Sequence, residues 1–317
     1  MKLTIEKIVS GGLGLARDEA GAVLVPFVAA GETVRVELMP GGKGRRARLI
    51  ETLAPSAHRV VPPCPLYGRC GGCQLMHLDD GEQLRAKRDI LNDALVRIGG
   101  LTAPEPKIIP APAALHYRSR VRLHVRRGAA GFFGQRQSEF VPVSRCLLAA
   151  EALNAALPAL PPLLKRERPD EVELISVDEG VLVKISDLRL YLWKGAEFER
   201  VQRPVAFSQV NPAQNEALRA EVAALVDEAG PTTLLELYAG SGNLTRAIAA
   251  EGREITALDA DPAAAELGRR ELASAPGRVR FFCLPAVESF REERRADLVL
   301  LDPPRSGARE VVPGMLA

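Results

Sequence analysis

No apolar run in this sequence reaches the roughly 18 to 20 residues that a membrane span requires. Stretches such as VVPPCPLYG and LLAAEALNAALPALPPLL are cut by proline or polar residues. The opening MKLTIEKIVSGGLG lacks the apolar core of a secretory signal. Internal repeats and low-complexity tracts are missing. Only four histidines and one tryptophan are present. His58, His77, His116, His124 and Trp193 are scattered, form no recognisable site and read as structural or surface residues. These absences exclude membrane and secreted classes and lead us to expect a soluble, cytoplasmic chain. In that setting five cysteines argue against a disulfide framework and towards metal binding or catalysis.

What is present divides the chain. With 317 residues and 47% apolar content, it is long enough for two or three domains, each with its own core. The net charge of +2 conceals an asymmetry. Residues 1–150 carry 22 Lys and Arg against 13 Asp and Glu, whereas the remainder carries 20 against 27. A basic front half ahead of an acidic back half suits a polyanion-gripping module joined to a catalytic or cofactor domain, although ordinary solvated charge gives the same count.

The expected fold class is multidomain α+β. Residues 1–56 read as short strands (LTIEKIV, AVLVPFV, ETVRVEL, RRARLIETL) between Gly-rich turns, predicting a small OB-like β-barrel. Its loop LMPGGKGRRARLIE gathers Lys43, Arg45, Arg46 and Arg48, which suits phosphate contacts. Residues 55–75, crowded with Pro, Gly and Cys, read as a ligand loop. Leu84, Ile90, Leu91, Leu95 and Ile98 recur at helical spacing between an aspartate cap and Gly99, predicting a helix over 81–99 that belongs to the same domain as residues 205–317. HYRSRVRLHVRRG and the turn-separated strands after it predict an antiparallel central domain over 57–80 and 100–204. From 205 to 317 helices alternate with fully apolar strands in βαβαβ order, the pattern of a Rossmann-like parallel sheet.

Three constellations carry chemistry. In LLELYAGSGNLT an apolar strand runs into Tyr238, Ala239, Gly240, Ser241, Gly242 and Asn243, small residues where backbone must approach a ligand closely. Asp259 ends the next strand, where an acidic side chain can accept from both ribose hydroxyls. The third glycine of a nicotinamide fingerprint is absent. The acidic-Gly-x-Gly form with Glu236 ahead of it instead looks like S-adenosylmethionine (SAM)-dependent methyltransferases. In LVLLDPPRSG, two prolines lock the loop after Asp302 at another strand end. Finally, Cys64-x5-Cys70-x2-Cys73 with Cys146 downstream offers four thiolates, which suit tetrahedral zinc or a [4Fe-4S] cluster; three clustered cysteines plus a remote one is the commoner cubane pattern.

The barrel, which resembles a TRAM domain, is followed in order by CPLYGRCGGCQLMHL, Cys146, HYRSRVRLHV, AFSQVNPAQNE, LELYAGSGNLT and LDPPRSG. Over essentially its whole length the chain thereby resembles the RumA-like (RlmD-like) RNA uracil-5-methyltransferases. The resemblance implies a [4Fe-4S] cluster on Cys64, Cys70, Cys73 and Cys146. It implies SAM contacts from Gln209, Tyr238, Asp259 and Asp302, with Gly240 and Gly242 in the turn and Asn243 as a further contact. Ala286 stands where the family places another polar contact. RNA, rRNA rather than tRNA, is the expected partner of a monomeric chain, gripped by Lys43, Arg45, Arg46, Arg118, Arg120 and Arg122, with Arg126 and Arg127 adding charge.

The chemistry of this family needs a thiolate that adds to carbon 6 of uracil, so that carbon 5 can attack the methyl group, and a base that then removes the carbon 5 proton. In the family these lie in a Ser-Cys-Asx-Pro motif after the strand that follows DPPR and in a later Glu. Neither occurs here, so a chain truncated before its nucleophile is expected. Cys283 in RVRFFCLPA reads as a buried strand residue, not that nucleophile. Two other outcomes remain: a non-catalytic iron-sulfur RNA-binding protein, and amino-group methylation through the DPPR loop.

Overall fold

The computed structural model describes residues 1–317 except 42–43, 103, 135–138, 291–295 and 316–317. Two compact units account for the chain. The first comprises Met1–His116, Arg120–Val183 and Trp193–Phe198; the second comprises Tyr117–Ser119, Lys184–Leu192 and Glu199–Ala317. No described helix is long and apolar enough to cross a membrane.

The first unit opens with β1 (Lys2–Thr4), β2 (Lys7–Val9), β3 (Leu13–Asp18), β4 (Gly21–Pro26), β5 (Thr33–Leu38) and β6 (Arg45–Ala54), hydrogen-bonded in the order β1-β5-β6-β4-β3-β2. Alternate residues point inward, so that Leu3, Ala16, Val23, Val25, Val34, Val36 and Ala47 meet in one core with Ile5 and Val28. Gly14 is required within it: a Cβ there would lie 2.2 Å from Val28 and 2.9 Å from Ile5. Beneath this core sits a wholly buried carboxylate, Glu32. It accepts two bonds of 2.6 Å from Arg59, one of 2.8 Å from the Ala29 N–H and one of 3.1 Å from the Ser56 N–H.

The cysteine-rich loop is tied to the same place. Buried His77 bonds the Val28 carbonyl at 3.0 Å through Nε2 and the Tyr67 hydroxyl at 2.6 Å through Nδ1. Then α1 (Asp80–Asp93) begins at Asp79, whose side chain accepts from the Glu82 N–H, and passes through a π-helical turn at Ala94–Ile98. An ion pair from Lys7 to Asp93 at 2.8 Å holds α1 against the first strands. Next come β7 (Arg120–Arg126), β8 (Ala129–Phe133), β9 (Phe140–Pro142), α2 (Glu151–Ala156), α3 (Leu160–Glu167), β10 (Glu171–Val177) and β11 (Gly180–Ser186). Here the strand order is β11-β10-β7-β8-β9, antiparallel from β10 to β9. Helices α2 and α3 lie against β10 and β8. Val121, Leu123 and Val125 are buried together with Leu153, Leu160, Leu163 and Leu164.

After β12 (Arg189–Trp193) and β13 (Phe198–Val201), the second unit builds its core from α4 (Pro212–Ala229), β14 (Thr233–Leu237), α5 (Thr245–Ile248), β15 (Glu254–Asp259), α6 (Pro262–Glu271), β16 (Arg278–Cys283), β17 (Leu298–Leu301) and α7 (Val312–Met315). The four strands from β14 to β17 are parallel, in the order β16-β15-β14-β17. Helix α4 follows local rules. Asn211 caps it by accepting from the Gln214 N–H, Pro212 occupies the first turn and Gly230 stops it in the left-handed conformation.

Burial raises the Glu32 pKa, but Arg59 and then the two N–H donors outweigh it and hold the carboxyl below its ordinary value. A depressed carboxyl pKa stabilises the fold above the ordinary carboxylate range and loses that contribution as pH falls through the folded value. Glu32→Gln leaves Arg59 without its anion and should cost about 3 kcal/mol at neutral pH. Urea denaturation at pH 7 and pH 3 checks this: the gap between wild type and variant should narrow in acid, and equal midpoints at pH 7 would contradict it.

Candidate functional site

The parallel register places three loop-forming strand ends side by side. Leu237 pairs with Leu258 on one flank and with Leu301 on the other. The next residues are therefore Tyr238 at the head of the Gly-rich turn, Asp259 and Asp302. Asp259 Oδ2 accepts the Gly240 N–H at 2.7 Å and its Oδ1 accepts the Asp261 N–H at 2.8 Å. Gly240 (φ +57°) and Gly242 (φ +86°) both adopt left-handed backbone, but their surroundings differ. A Cβ on Gly242 would meet Leu272 at 2.4 Å, whereas one on Gly240 would meet nothing within 4 Å. Gly242 thus serves packing, and Gly240 presents bare backbone to open space.

Tyr238 also has positive φ, +62°, an uncommon and strained conformation for a side chain of this size. Its hydroxyl donates to Glu310 at 2.7 Å, a partner that no sequence motif marked. Asp302 is exposed, with the turn after it closed by Gly307 N–H to Pro304 O at 2.8 Å. Asn243 is used elsewhere: its amide and that of Asn215 on α4 bond each other reciprocally at 2.8 Å. Gln209, half-buried, lies two residues before the cap of α4, and its neighbour Val210 accepts from the Ser119 N–H at 2.8 Å. Ala286 is buried in the core with Leu235, Leu237 and Leu258. Cys283 is exposed rather than buried at the end of β16, with its Sγ 4.0 Å from the Ala260 carbonyl. The strand order puts it three strands from Asp302, about 14 Å at normal strand spacing.

Behind the turn, Glu236 is almost wholly buried, with its carboxylate bonded to the Thr245 hydroxyl at 2.6 Å. Burial pushes its pKa up to about 7; the Thr245 bonds oppose this and the charge of Asp302 adds to it.

In the first unit Cys64, Cys70, Cys73 and Cys146 are half-buried on loops. Burial raises the Cys70 thiol, and Cys146 and Cys64 are close enough to raise it further, against the Gly72 N–H, which approaches Cys70 Sγ at 3.4 Å. Asn154, a buried residue the sequence did not signal, holds the Cys146 segment by accepting its N–H at 2.9 Å and donating to its carbonyl at 3.0 Å. Among the described residues no three His, Cys, Asp or Glu side chains converge tightly enough to hold a single ion.

The expected RNA-gripping cations separate into kinds. Lys43 lies outside the described residues. Arg45 is bound to Asp18 by both Nη atoms, the Nη2 to Oδ2 distance being 2.7 Å, while Arg46 is exposed. Arg118 is half-buried, Arg120 is buried beside Glu173 at 3.6 Å, and Arg122 and Arg126 are exposed.

No protein-family model matches the chain. It is 32% identical to an uncharacterized RNA methyltransferase of Bdellovibrio bacteriovorus, over 100% of this chain and 80% of that one. It is likewise 32% identical to the 23S rRNA (uracil(1939)-C(5))-methyltransferase RlmD of Chromohalobacter salexigens, over 96% of this chain and 76% of that one. The tRNA (uracil-54, C5)-methyltransferase of Pyrococcus abyssi, solved with S-adenosyl-L-homocysteine, superposes with a TM-score of 0.70 at 22% identity, covering 99% of this chain and 86% of that one. The two chains share a fold.

A raised carboxyl pKa contributes stability that is complete below the ordinary value and is lost as pH rises through the folded one. The second unit should therefore lose stability between about pH 5 and pH 8, and Glu236→Gln should flatten that slope. Thermal melts across this range test it; an equally steep decline in the variant would contradict it.

Proposed function

The chain belongs to the RNA methyltransferase family that includes the RlmD 23S rRNA (uracil-C5) enzymes, and we propose that it binds SAM at the ends of β14, β15 and β17 and acts on carbon 5 of a uridine in RNA, 23S rRNA in preference to tRNA. The juxtaposition of Gly240 with Asp259 carries the cofactor reading. Asp259 already accepts two N–H bonds and keeps lone pairs for two ribose hydroxyls. The open side of Gly240 admits a ligand against the backbone. Asp302, at the end of β17, and Tyr238, bonded to Glu310, follow the strand ends on either side, and Gln209 is assigned to SAM from the family pattern. Asn243, with its amide matched to Asn215, positions α5 against α4 in this reading. SAM, when bound, supplies an electrophilic methyl group.

The barrel is read as a TRAM domain, and Cys64, Cys70, Cys73 and Cys146 as holders of a [4Fe-4S] cluster. A tetrahedral zinc needs its sulfurs about 2.3 Å from one point. A cubane spreads its ligands over separate irons and asks only for thiols gathered on one patch. Cys64, Cys70 and Cys73 share one loop and Cys146 lies in a second segment held by Asn154, which supports that looser arrangement. Anaerobically purified protein should contain roughly four iron atoms per chain; one zinc and no iron would contradict the assignment.

We assign the nucleophile to no residue of 1–317. Four thiols belong to the proposed cluster, and Cys283 lies on the opposite edge strand of the sheet from Asp302. The second reading is a non-catalytic iron-sulfur RNA-binding protein with a remnant methyltransferase domain. Calorimetric titration with SAM and nucleoside mass spectrometry of RNA incubated with labelled SAM test both. Residues 1–317 should bind SAM, more weakly after Asp259→Ala, and any methylated nucleoside formed should be 5-methyluridine. Methylation of uridine abolished by Cys283→Ala would overturn the assignment, and an N-methylated nucleoside would point to amino-group chemistry at the DPPR loop.

A further inference from the structure

Along β7 the residues alternate between a buried face and a face carrying Arg122, His124 and Arg126. On the first Val121, Leu123 and Val125 are buried; on the other Arg122 and Arg126 are exposed. The hairpin to β8 turns through Arg127 (φ +51°) and Gly128 (φ +76°), both left-handed as a two-residue type I′ turn requires. His124 then lies opposite Gly131, two residues before Phe133, on the same face. The His124 and Phe133 rings are 4.2 Å apart between centroids and tilted by 42°. The Arg126 guanidinium lies 5.7 Å from the Phe133 ring centre.

Charge on this face is unevenly matched. On β10, Glu171 pairs with His124 at 3.1 Å and Glu173 with Arg120 at 3.6 Å. Glu173 stands opposite Arg122 in the strand register but pairs with Arg120, and neither Arg122 nor Arg126 has a carboxylate within ion-pair distance among the described residues. Arg122 instead sits close enough to Arg120 to oppose its protonation, after burial, which is the larger cause. Like charges held together in this way are relieved when an anion arrives.

We propose that this open sheet face, with His124 and Phe133 as stacking surfaces and Arg122 and Arg126 as phosphate-binding cations, is a platform for unpaired bases of single-stranded RNA. Aromatic rings beside guanidinium groups on an exposed sheet fit splayed bases joined by phosphates, and suit neither a duplex nor an acidic peptide as well, because stacking needs free base faces. The thiol-bearing loop braces the platform. The Gly71 N–H donates to the Phe133 carbonyl at 3.0 Å, and Cys70 bridges Gly134. A Cβ on Gly71 would lie 2.7 Å from that carbonyl, so glycine is what lets the loop come this close.

The inference rests on the RNA reading above, and anisotropy titrations of the full chain separate the two. Wild type should bind a short oligouridylate more tightly than an abasic oligomer of the same length. Phe133→Leu should weaken oligouridylate binding roughly tenfold, within the range of base stacking, and leave the abasic oligomer unaffected. Arg126→Gln, at an exposed position, should weaken both and reduce the salt slope by about one. Equal losses on both oligomers in Phe133→Leu, or no loss in either variant, would overturn the platform while RNA binding stands. Failure of wild type to bind any RNA would overturn both.

Discussion

The site depends on three parallel strands held in step. Because β14 is hydrogen-bonded between β15 and β17, the residues after Leu237, Leu258 and Leu301 emerge at one level. A slip of one residue would turn Asp259 or Asp302 to the opposite face of the sheet. The Gly-rich turn can use that alignment because its glycines have separate duties. Gly242 lets the turn settle on Leu272 and Phe281, and Gly240 stays bare where Asp259 meets it. The buried Glu236 and Thr245 tie the strand to α5 beneath the turn, so the backbone around Gly240 is anchored from behind as well as from the side.

The first unit solves a different problem: how to fix a loop that has no regular structure. Glu32 accepts from Arg59 and two backbone donors, and His77 links Tyr67 to the barrel carbonyl of Val28. A fully satisfied buried carboxylate is costly to disturb. The loop that carries Cys64, Cys70 and Cys73 is thereby anchored to the six-stranded sheet at one end. At the other it meets the Phe133 strand through Gly71.

Local signals in the sequence were enough where the physics is local. The aspartate cap and Gly99 mark the start of α1 and the end of the π-helical turn that continues it. NLTRAIAAEG, by contrast, reads as a full helix yet forms one turn, Thr245–Ile248, because Gly240 and Gly242 hold the preceding backbone left-handed and Ala249 is extended. What depends on a distant partner was not legible. Nothing near Asn243 announces that Asn215 takes its amide, nor does Tyr238 announce Glu310. Charge counting also treated Arg45 as one of the RNA-facing cations, although Asp18 across the barrel binds it, and it gave no hint that Arg120 is buried while Arg122 and Arg126 are exposed.

The central claim is that the aligned strand ends form one ligand-binding surface, and hydrogen exchange read by mass spectrometry with and without SAM tests it most directly. Slower exchange is expected in peptides covering Glu236 to Thr245, Asp259 to Asp261 and Asp302 to Gly307 together, with the barrel strands unchanged. Protection confined to one of these segments, or found only in the first unit, would contradict the account.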